Sequence, residues 1–422
     1  MSIEFGTPAR YLPAPRDNAT ADLTRNAADA PDAPAFARWH GGAWRTITWA
    51  EAAELATSLA AGLVAAGIAP GDRVAVMAGT GLDWVRADYA IWLAGAVSVP
   101  VPAPATPAEA AWFLRDSGAV AAFAGDDRQH ALVQAAGVRQ IWSASTSGAT
   151  DPAAAREVER RRRALTADTL ATIVYPPGGW GARLSHGNLT AAVHAIATAE
   201  NVLDWQAELL VALPLTDIYA RVAQLVAVHA GALTAHAPDP AHLDDALLSF
   251  RPTALVAAPS ALARFAPGSD NAAVAYGRAM DTGRVPLTLR VRQRRGTKAL
   301  APFGGNLTHV LTGEPLAPHL AWYLRGIGLT VLDGYSRAET TGAVTANLPG
   351  GTRAGTAGRP LPGCRVRITR TGEVLVRGAT VFQGHWGTPT TALDQDGWFH
   401  TGDLGMLDDG HLTLTGRVDQ AR

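Results

Sequence analysis

An α/β protein of layered, mostly parallel sheets with helices on both faces, plus a small β-barrel-like subdomain, is what this sequence predicts. From about residue 49 to residue 332, segments with helical spacing alternate with strand-like apolar runs, the pattern of strands joined by crossover helices. Beyond about Gly350 the texture changes to short, turn-bounded runs rich in Gly, Pro and β-branched residues, as in a small barrel or antiparallel sheet. A chain of 422 residues, 48% hydrophobic and 17% charged, is also long enough for a large core and more than one domain.

Along the chain, Trp49 to Ala66 has apolar residues at helical spacing and stops at Gly67. Pro70-Gly71-Asp72 turns into a strand over Arg73 to Met77, and Asp83 to Ala94 predicts a helix packed back on it. Ala119 to Ala124 is a further short strand, and the Ala-, Arg- and Ser-rich stretch from Asp126 to Asp168 reads as a surface helix and connection. Strands follow at Leu209 to Leu213, Ala254 to Ala258, Leu307 to Leu311 and Thr330 to Leu332, with helices at Tyr219 to Ala230 and Leu320 to Gly326. Ala266 to Thr297 has weak periodicity and reads as partly loop. Gly355 to Pro362, Val366 to Ile368 and Glu373 to Val376 carry the late β character. The expected organisation is an N-terminal α/β part (1–170), a central α/β part (171–350), a small β part (351–416) and a hinge stub (417–422), without internal repeats.

Charge and composition narrow the function. The net charge is −1 and no basic surface interleaved with aromatics can be read, so a nucleic-acid partner is not expected. Arg160 to Arg163, and Arg290, Arg292, Arg294, Arg295 with Lys298, read as solvated surface runs. Cys364 is alone, which excludes an intrachain disulfide and a Cys-rich metal site. The N-terminus has no apolar export segment, and the longest apolar stretch, Tyr89 to Val101, is short and broken by Gly95 and Pro100. A cytoplasmic location without a transmembrane helix is expected. Lys298 is the only lysine, so chemistry needing an ammonium has one candidate.

The stretch Thr172 to Leu189 stands at the centre. Its apolar first half predicts a buried strand, Gly178, Gly179 and Gly181 a glycine loop, and Ser185 the N-cap of a helix over Leu189 to Ala199. Strand, glycine loop and helix together present backbone N–H groups to a phosphate. The residue types conflict with that. Pro176 and Pro177 have no N–H, Trp180 is bulky, and no lysine or threonine stands in the loop.

Six strings occur in order: Y-P-P-G-G-W-G…L-S-H-G-N-L, L-P-L-T-D-I-Y-A-R, L-T-G-E-P-L, L-D-G-Y-S-R-A-E-T-T, G-W-F-H-T-G-D-L-G and T-G-R-V-D. With them the chain, from about Asn26 onward, resembles the adenylate-forming enzymes, and most of all the long-chain fatty acyl-CoA ligases. The resemblance implies a reaction in which a small-molecule carboxylic acid is joined to ATP, pyrophosphate leaves, and the acyl-adenylate passes to a thiol such as coenzyme A. It implies that Gly313, Glu314, Pro315 and Tyr335 flank the adenine, Glu339 holds Mg²⁺, Asp403 accepts from both ribose hydroxyls, and Arg417 reaches ribose or phosphate. Asp419 is then the hinge to a C-terminal domain. The residue types suit these roles: an aromatic face for a base, a carboxylate for a hard cation, an acceptor-only group for a diol.

Departures from the family pattern set the functional expectation. The hydroxyl-rich, lysine-containing loop is replaced by P-P-G-G-W-G and is about four residues shorter before Arg183; Ser336 and Ala338 replace a Gly and a Thr; Asp217 stands where a histidine is common. The chain ends three residues after Asp419, so the C-terminal domain and its lysine are expected to be missing from it. Each lost donor to developing charge costs on the order of 10²–10³ in rate. The sequence therefore predicts a ligase-derived protein with ATP-dependent activation crippled or lost and an apolar acyl pocket retained. Glu339, Asp217 and His186 are the candidate catalytic groups; ATP or AMP with Mg²⁺ are the implied cofactors, and coenzyme A is the least supported. Two alternatives remain: a working acyl-CoA ligase completed by a partner chain that supplies the C-terminal domain, or a non-catalytic partner of a complete ligase.

Overall fold

A computed structural model describes residues 3–146, 148, 151–199, 203–237, 239–266, 271–281, 296–388 and 392–418. The first elements are β1 (Ile3–Gly6), α1 (Ala21–Asp29), and the hairpin β2 (Pro34–His40) and β3 (Ala43–Thr48). Next come α2 (Trp49–Ala65), β4 (Arg73–Met77), α3 (Leu82–Leu93), β5 (Val97–Pro100), α4 (Pro107–Ser117), β6 (Ala121–Ala124), α5 (Asp127–Ala135), β7 (Gln140–Ser143) and α6 (Pro152–Ala164). The central part runs β8 (Leu170–Val174), β9 (Ala182–Ser185), α7 (His186–Ala199), β10 (Glu208–Val211), α8 (Ile218–Ala230), β11 (Leu233–His236), α9 (Leu243–Phe250) and β12 (Ala254–Val256). After α10 (Pro259–Ala263) and α11 (Asn271–Asp281) come β13 (His309–Thr312), α12 (Pro318–Gly326), β14 (Thr330–Arg337) and β15 (Gly342–Ala346). The last strands are β16 (Arg359–Pro360), β17 (Arg365–Ile368), β18 (Glu373–Arg377), β19 (Phe399–Asp408) and β20 (His411–Arg417).

Helix ends follow local chemistry. Thr48 and Thr106 each close a capping box, with Glu51 and Glu109, at the starts of α2 and α4. Gly118 and Gly231, both left-handed, end α4 and α8. The arginine run lies on α6 and is only partly solvated. Arg160 and Arg161 pair with Glu157, and Arg162 and Arg163 with Glu159, while Arg161 also donates to the carbonyls of Ile68 and Ala94 at 2.6 and 3.0 Å.

Three sheets form. A six-stranded sheet has the order β7-β6-β4-β5-β8-β9, a nine-stranded sheet β16-β15-β14-β13-β12-β10-β11-β2-β3, and a five-stranded antiparallel sheet β1-β17-β18-β19-β20. The first two are parallel in their interiors, with an antiparallel pair at one edge of the six-stranded sheet and at both edges of the nine-stranded one. Sheet membership does not follow chain order: β2 and β3 join the nine-stranded sheet, and β1 joins the last. Helices α3 and α8 are buried on almost every side; α3 packs on β4 and β5, and α8 on β10, β11, β14 and β15. They form a central layer within one continuous apolar core.

Two expectations need correction. The stretch from Asp126 to Asp168 contains an edge strand, β7, paired in parallel with β6, as well as helices. Its four residues are too few for periodicity to separate it from a connection. The central loop does not lead directly into a helix. Ala182–Ser185 turns back as β9, antiparallel to β8 with Ile173 opposite Arg183, and α7 starts only afterwards at His186. Of the basic segment, residues 290–295 and the side chain of Lys298 lie outside the described part, as does Asp419.

Candidate functional site

Parallel strands β10 to β14 end on one edge of the nine-stranded sheet, the place where open α/β sheets hold ligands. Two segments meet there. Gly313, Glu314 and Pro315 turn away from β13, fixed by the buried Asp333, whose Oδ2 accepts from the Leu316 N–H at 3.1 Å. A Cβ on Gly313 would come within 2.7 Å of Ser336 Oγ and 2.8 Å of the Tyr219 ring, so this turn requires glycine for close approach. Tyr335 lies beside it in β14 and is buried; its hydroxyl donates to Asp403 Oδ2 at 2.5 Å. Burial, with Asp403 close by, raises the Tyr335 pKa well above the usual phenol value.

Asp403 on β19 pairs directly with Arg417 on β20, and Arg417 Nη1 donates to Asp403 Oδ1 at 3.1 Å. Arg337 Nη1 donates to Asp403 Oδ2 at 3.2 Å. Three donors thus occupy a carboxylate with roughly four lone-pair positions. A ribose diol fits this acceptor once it replaces some of these contacts.

Glu339 sits in a short turn, Ala338–Thr340, after β14 and is buried. Thr341 follows with φ +54, a left-handed conformation that a β-branched residue adopts at a cost of about 1–3 kcal/mol, and its hydroxyl donates to the Thr380 carbonyl. Glu339 Oε2 lies 3.5 Å from Arg337 Nε, and Oε1 lies 3.9 Å from His385 Nε2. Burial works to raise its pKa, but His385 and Arg337 outweigh burial and lower it. A hard divalent cation takes oxygen ligands at about 2.1 Å. The Glu339 carboxylate instead faces nitrogens on both sides, those of Arg337 and His385. As arranged, the site does not fit Mg²⁺.

The loop from Tyr175 to Gly181 is the tip of the β8–β9 hairpin. Gly179 N–H bonds the Pro176 carbonyl at 3.0 Å, and Gly178 has φ +68, open to glycine alone at little strain. The hairpin is stitched to the Glu339 region: Arg183 N–H bonds Gly384 O, Trp386 N–H bonds Gly181 O, and Phe382 N–H bonds Glu339 O. With α4 the tip borders a groove of about 780 Å³ lined by Pro104, Trp112, Phe113, Tyr175, Pro177 and Trp180 among others. Tyr175 stacks edge-on with Trp112 and Phe113 and donates to Asp116 at 2.6 Å. Trp112 and Trp180 are exposed. This lining suits apolar or aromatic groups, not phosphate.

Asp217 is solvent-exposed as the N-cap of α8, accepting from Tyr219 N–H at 2.8 Å. Crowding by the protein raises its pKa, with Glu314 adding like charge. An apolar seam between α7, α8 and β13–β15, reached on α8 by Tyr219, is lined also by Ile196, Leu311, Leu332, Ala343 and Leu348 among others. Its cavity is only about 30 Å³, no more than one water's space. An acyl chain enters there only by parting the seam.

His186 lies apart from these cavities, fully buried at the start of α7. Its Nδ1 accepts from Ala19 N–H at 3.2 Å, and its ring meets Trp92 edge-on. Burial, reinforced by Arg221, pushes its pKa down to about 3; burial does the same to His236. The unfolded chain, with histidines near 6.5, therefore binds more protons than the folded one between about pH 6.5 and 3. Stability is expected to fall as pH drops through that window. Urea midpoints from pH 7 to 5 measure it, and His236→Gln should flatten the slope; an unchanged slope would exclude His236 as a source.

Arg337 and His385 escaped the motif reading. Tyr335, Arg337 and Glu339 alternate along the chain, which places Arg337 on the side of its two neighbours. That spacing could have revealed it. His385, 46 positions after Glu339, gave no local signal.

A family model described as AMP-binding enzyme matches residues 23–386. The long-chain-fatty-acid–CoA ligase FadD15 of Mycobacterium bovis is 32% identical, across 98% of this chain and 76% of that one. A feruloyl-CoA synthase of an Amycolatopsis species is 29% identical, across 90% and 74%. Among solved structures, the N-terminal domain of FACL13 from Mycobacterium tuberculosis aligns with a TM-score of 0.74 at 22% identity, across 94% and 99%. ATP-bound MatB from Rhodopseudomonas palustris aligns with a TM-score of 0.75 at 24% identity, across 95% and 79%; these two likenesses are of fold.

Proposed function

Because this chain belongs to the AMP-binding enzyme family, we propose that it is a diverged acyl-CoA-ligase-like protein that holds an acyl or acyl-adenylate ligand, with ATP-dependent activation of the acid crippled. The observation that carries this reading is the hairpin tip. Its Pro176-Pro177 pair offers no N–H, its next side chain is Trp180, and the tip has no ammonium to meet β- and γ-phosphates. The nucleoside side is better equipped: Tyr335 and the Gly313 turn lie together, and Asp403 is an acceptor for a diol. The apolar seam beside Tyr219 is where the acyl chain goes, opening between α7 and β15.

Calorimetry with Mg·ATP and with a long-chain acyl-adenylate mimic tests this. The expected result is no micromolar binding of ATP and clear binding of the mimic, weakened about tenfold or more by Ala343→Phe, which fills the seam. Micromolar ATP binding that disappears in Asp403→Ala would restore the ordinary ligase reading. A second reading, a partner chain docking on the groove at the tip, draws on the exposed Trp112 and Trp180. It requires activity to return when a separate ligase C-terminal domain is added.

A further inference from the structure

We propose that Arg337 is a built-in cation that takes the place of a divalent metal between Glu339 and Asp403, so that this site holds the phosphate of an adenylate without metal. The inference rests on the reading of the cleft as an adenylate site.

The guanidinium spans both carboxylates, with Nη1 at 3.2 Å from Asp403 Oδ2 and Nε at 3.5 Å from Glu339 Oε2. Its backbone is held in place: Arg337 N–H donates to Thr340 Oγ1 at 3.2 Å, and Thr340 Oγ1 donates to Arg337 O at 3.1 Å. The left-handed Thr341 fixes the following step. A metal bound to Glu339 would lie within a few ångströms of a charge that cannot be deprotonated, and would be repelled by it.

Charge balance points the same way. Arg337 and Arg417 already neutralise Glu339 and Asp403 one for one. A divalent cation would leave two positive charges uncompensated in a partly buried place. A phosphate reaching the cleft meets instead a fixed donor, since Arg337 Nη2 makes no hydrogen bond to the described residues and the side chain is 22% exposed. Glu339 Oε2 itself is buried without a hydrogen-bond partner, held by charge alone.

Two titrations of the whole chain separate this inference from the reading it rests on. The first follows Mn²⁺ binding by electron paramagnetic resonance. The wild type should bind no Mn²⁺ at this site, and Arg337→Met should gain a site that Arg337→Met/Glu339→Gln loses. The second follows AMP in EDTA and in Mg²⁺. Wild-type affinity should agree in the two buffers within about twofold, and Arg337→Met should weaken AMP about tenfold in EDTA. Where Arg337→Met misfolds by circular dichroism, Arg337→Gln replaces it. Wild-type Mn²⁺ binding abolished by Glu339→Gln, or AMP binding that needs Mg²⁺, would overturn the internal cation. Failure of AMP and the acyl-adenylate mimic in both buffers would instead overturn the adenylate-site reading, leaving the Mn²⁺ result to decide the role of Arg337.

Discussion

Arg221→Ala is expected to destabilise the fold by about 3–5 kcal/mol, the usual cost of stripping one partner from a buried ion pair. Arg221 on α8 is 1% exposed and grips Asp88 on α3 with both faces of its fork, Nε to Oδ2 at 2.7 Å and Nη2 to Oδ1. Its Nη1 donates to Thr172 Oγ1 at 2.9 Å, and its guanidinium lies over the rings of Trp84 and Trp92. One side chain thus joins α8, α3 and β8, the helix layer between the two large sheets. Without it Asp88 is a buried carboxyl with no cation, costly whether it stays charged or takes up a proton; burial already presses the Asp88 pKa upward against the pull of Arg221. Urea unfolding of Arg221→Ala, Asp88→Asn and the double variant measures the pair. The single variants should each be severe and the double variant less than their sum. A loss below about 1 kcal/mol for Arg221→Ala would show that water reaches the pair and that it is not a central tie.

The same pair shows why part of the fold could be read from the residues and part could not. Local signals were enough for the inner elements: strand Arg73–Met77 lies where the Pro70-Gly71-Asp72 turn put it, and the helix over Trp49 ends within one residue of the expected place. Arg221 stood inside a recognised string, yet nothing in that string names Asp88, 133 positions earlier. Sheet membership was hidden for the same reason. That β1 pairs with β17, or that β2 lies beside β11, is settled by long-range packing and leaves no mark in local periodicity. The hairpin at Tyr175 to Gly181 was hidden differently. A glycine loop before Ser185 has the pattern of a phosphate cradle, and Ser185 does cap the helix that starts at His186, but Ala182–Ser185 pairs with β8 as a strand and separates the glycines from the helix end. The site was half readable: Tyr335, Glu339 and Asp403 came from motifs and spacing points to the side of Arg337, whereas its contact with Asp403, 66 positions on, is visible only in the folded chain.

Rebuilding the hairpin tip is the change with the largest expected gain. Replacing Pro176, Pro177 and Trp180 by serine, threonine and lysine, and keeping Gly178 for its left-handed φ, returns two backbone N–H groups, two hydroxyls and one ammonium. A hydrogen bond to a charged group contributes about 1.5–3 kcal/mol, so even two such contacts well placed on a triphosphate should tighten ATP by about 10²-fold or more. The hairpin can accept this because its register is held outside the tip, by β8 and by the bonds of Arg183 and Gly181 to Gly384 and Trp386. Loss of Trp180 removes an exposed wall of the groove and little of the core. ATP titrations on the wild type and the rebuilt tip decide the matter. Full gain with Arg337 intact would locate the nucleotide defect in the tip. No gain until Arg337 is also replaced would mean that the saturated Asp403 and its two arginines close the site first. No gain in either background would show that the tip does not limit ATP binding and would count against the proposed function.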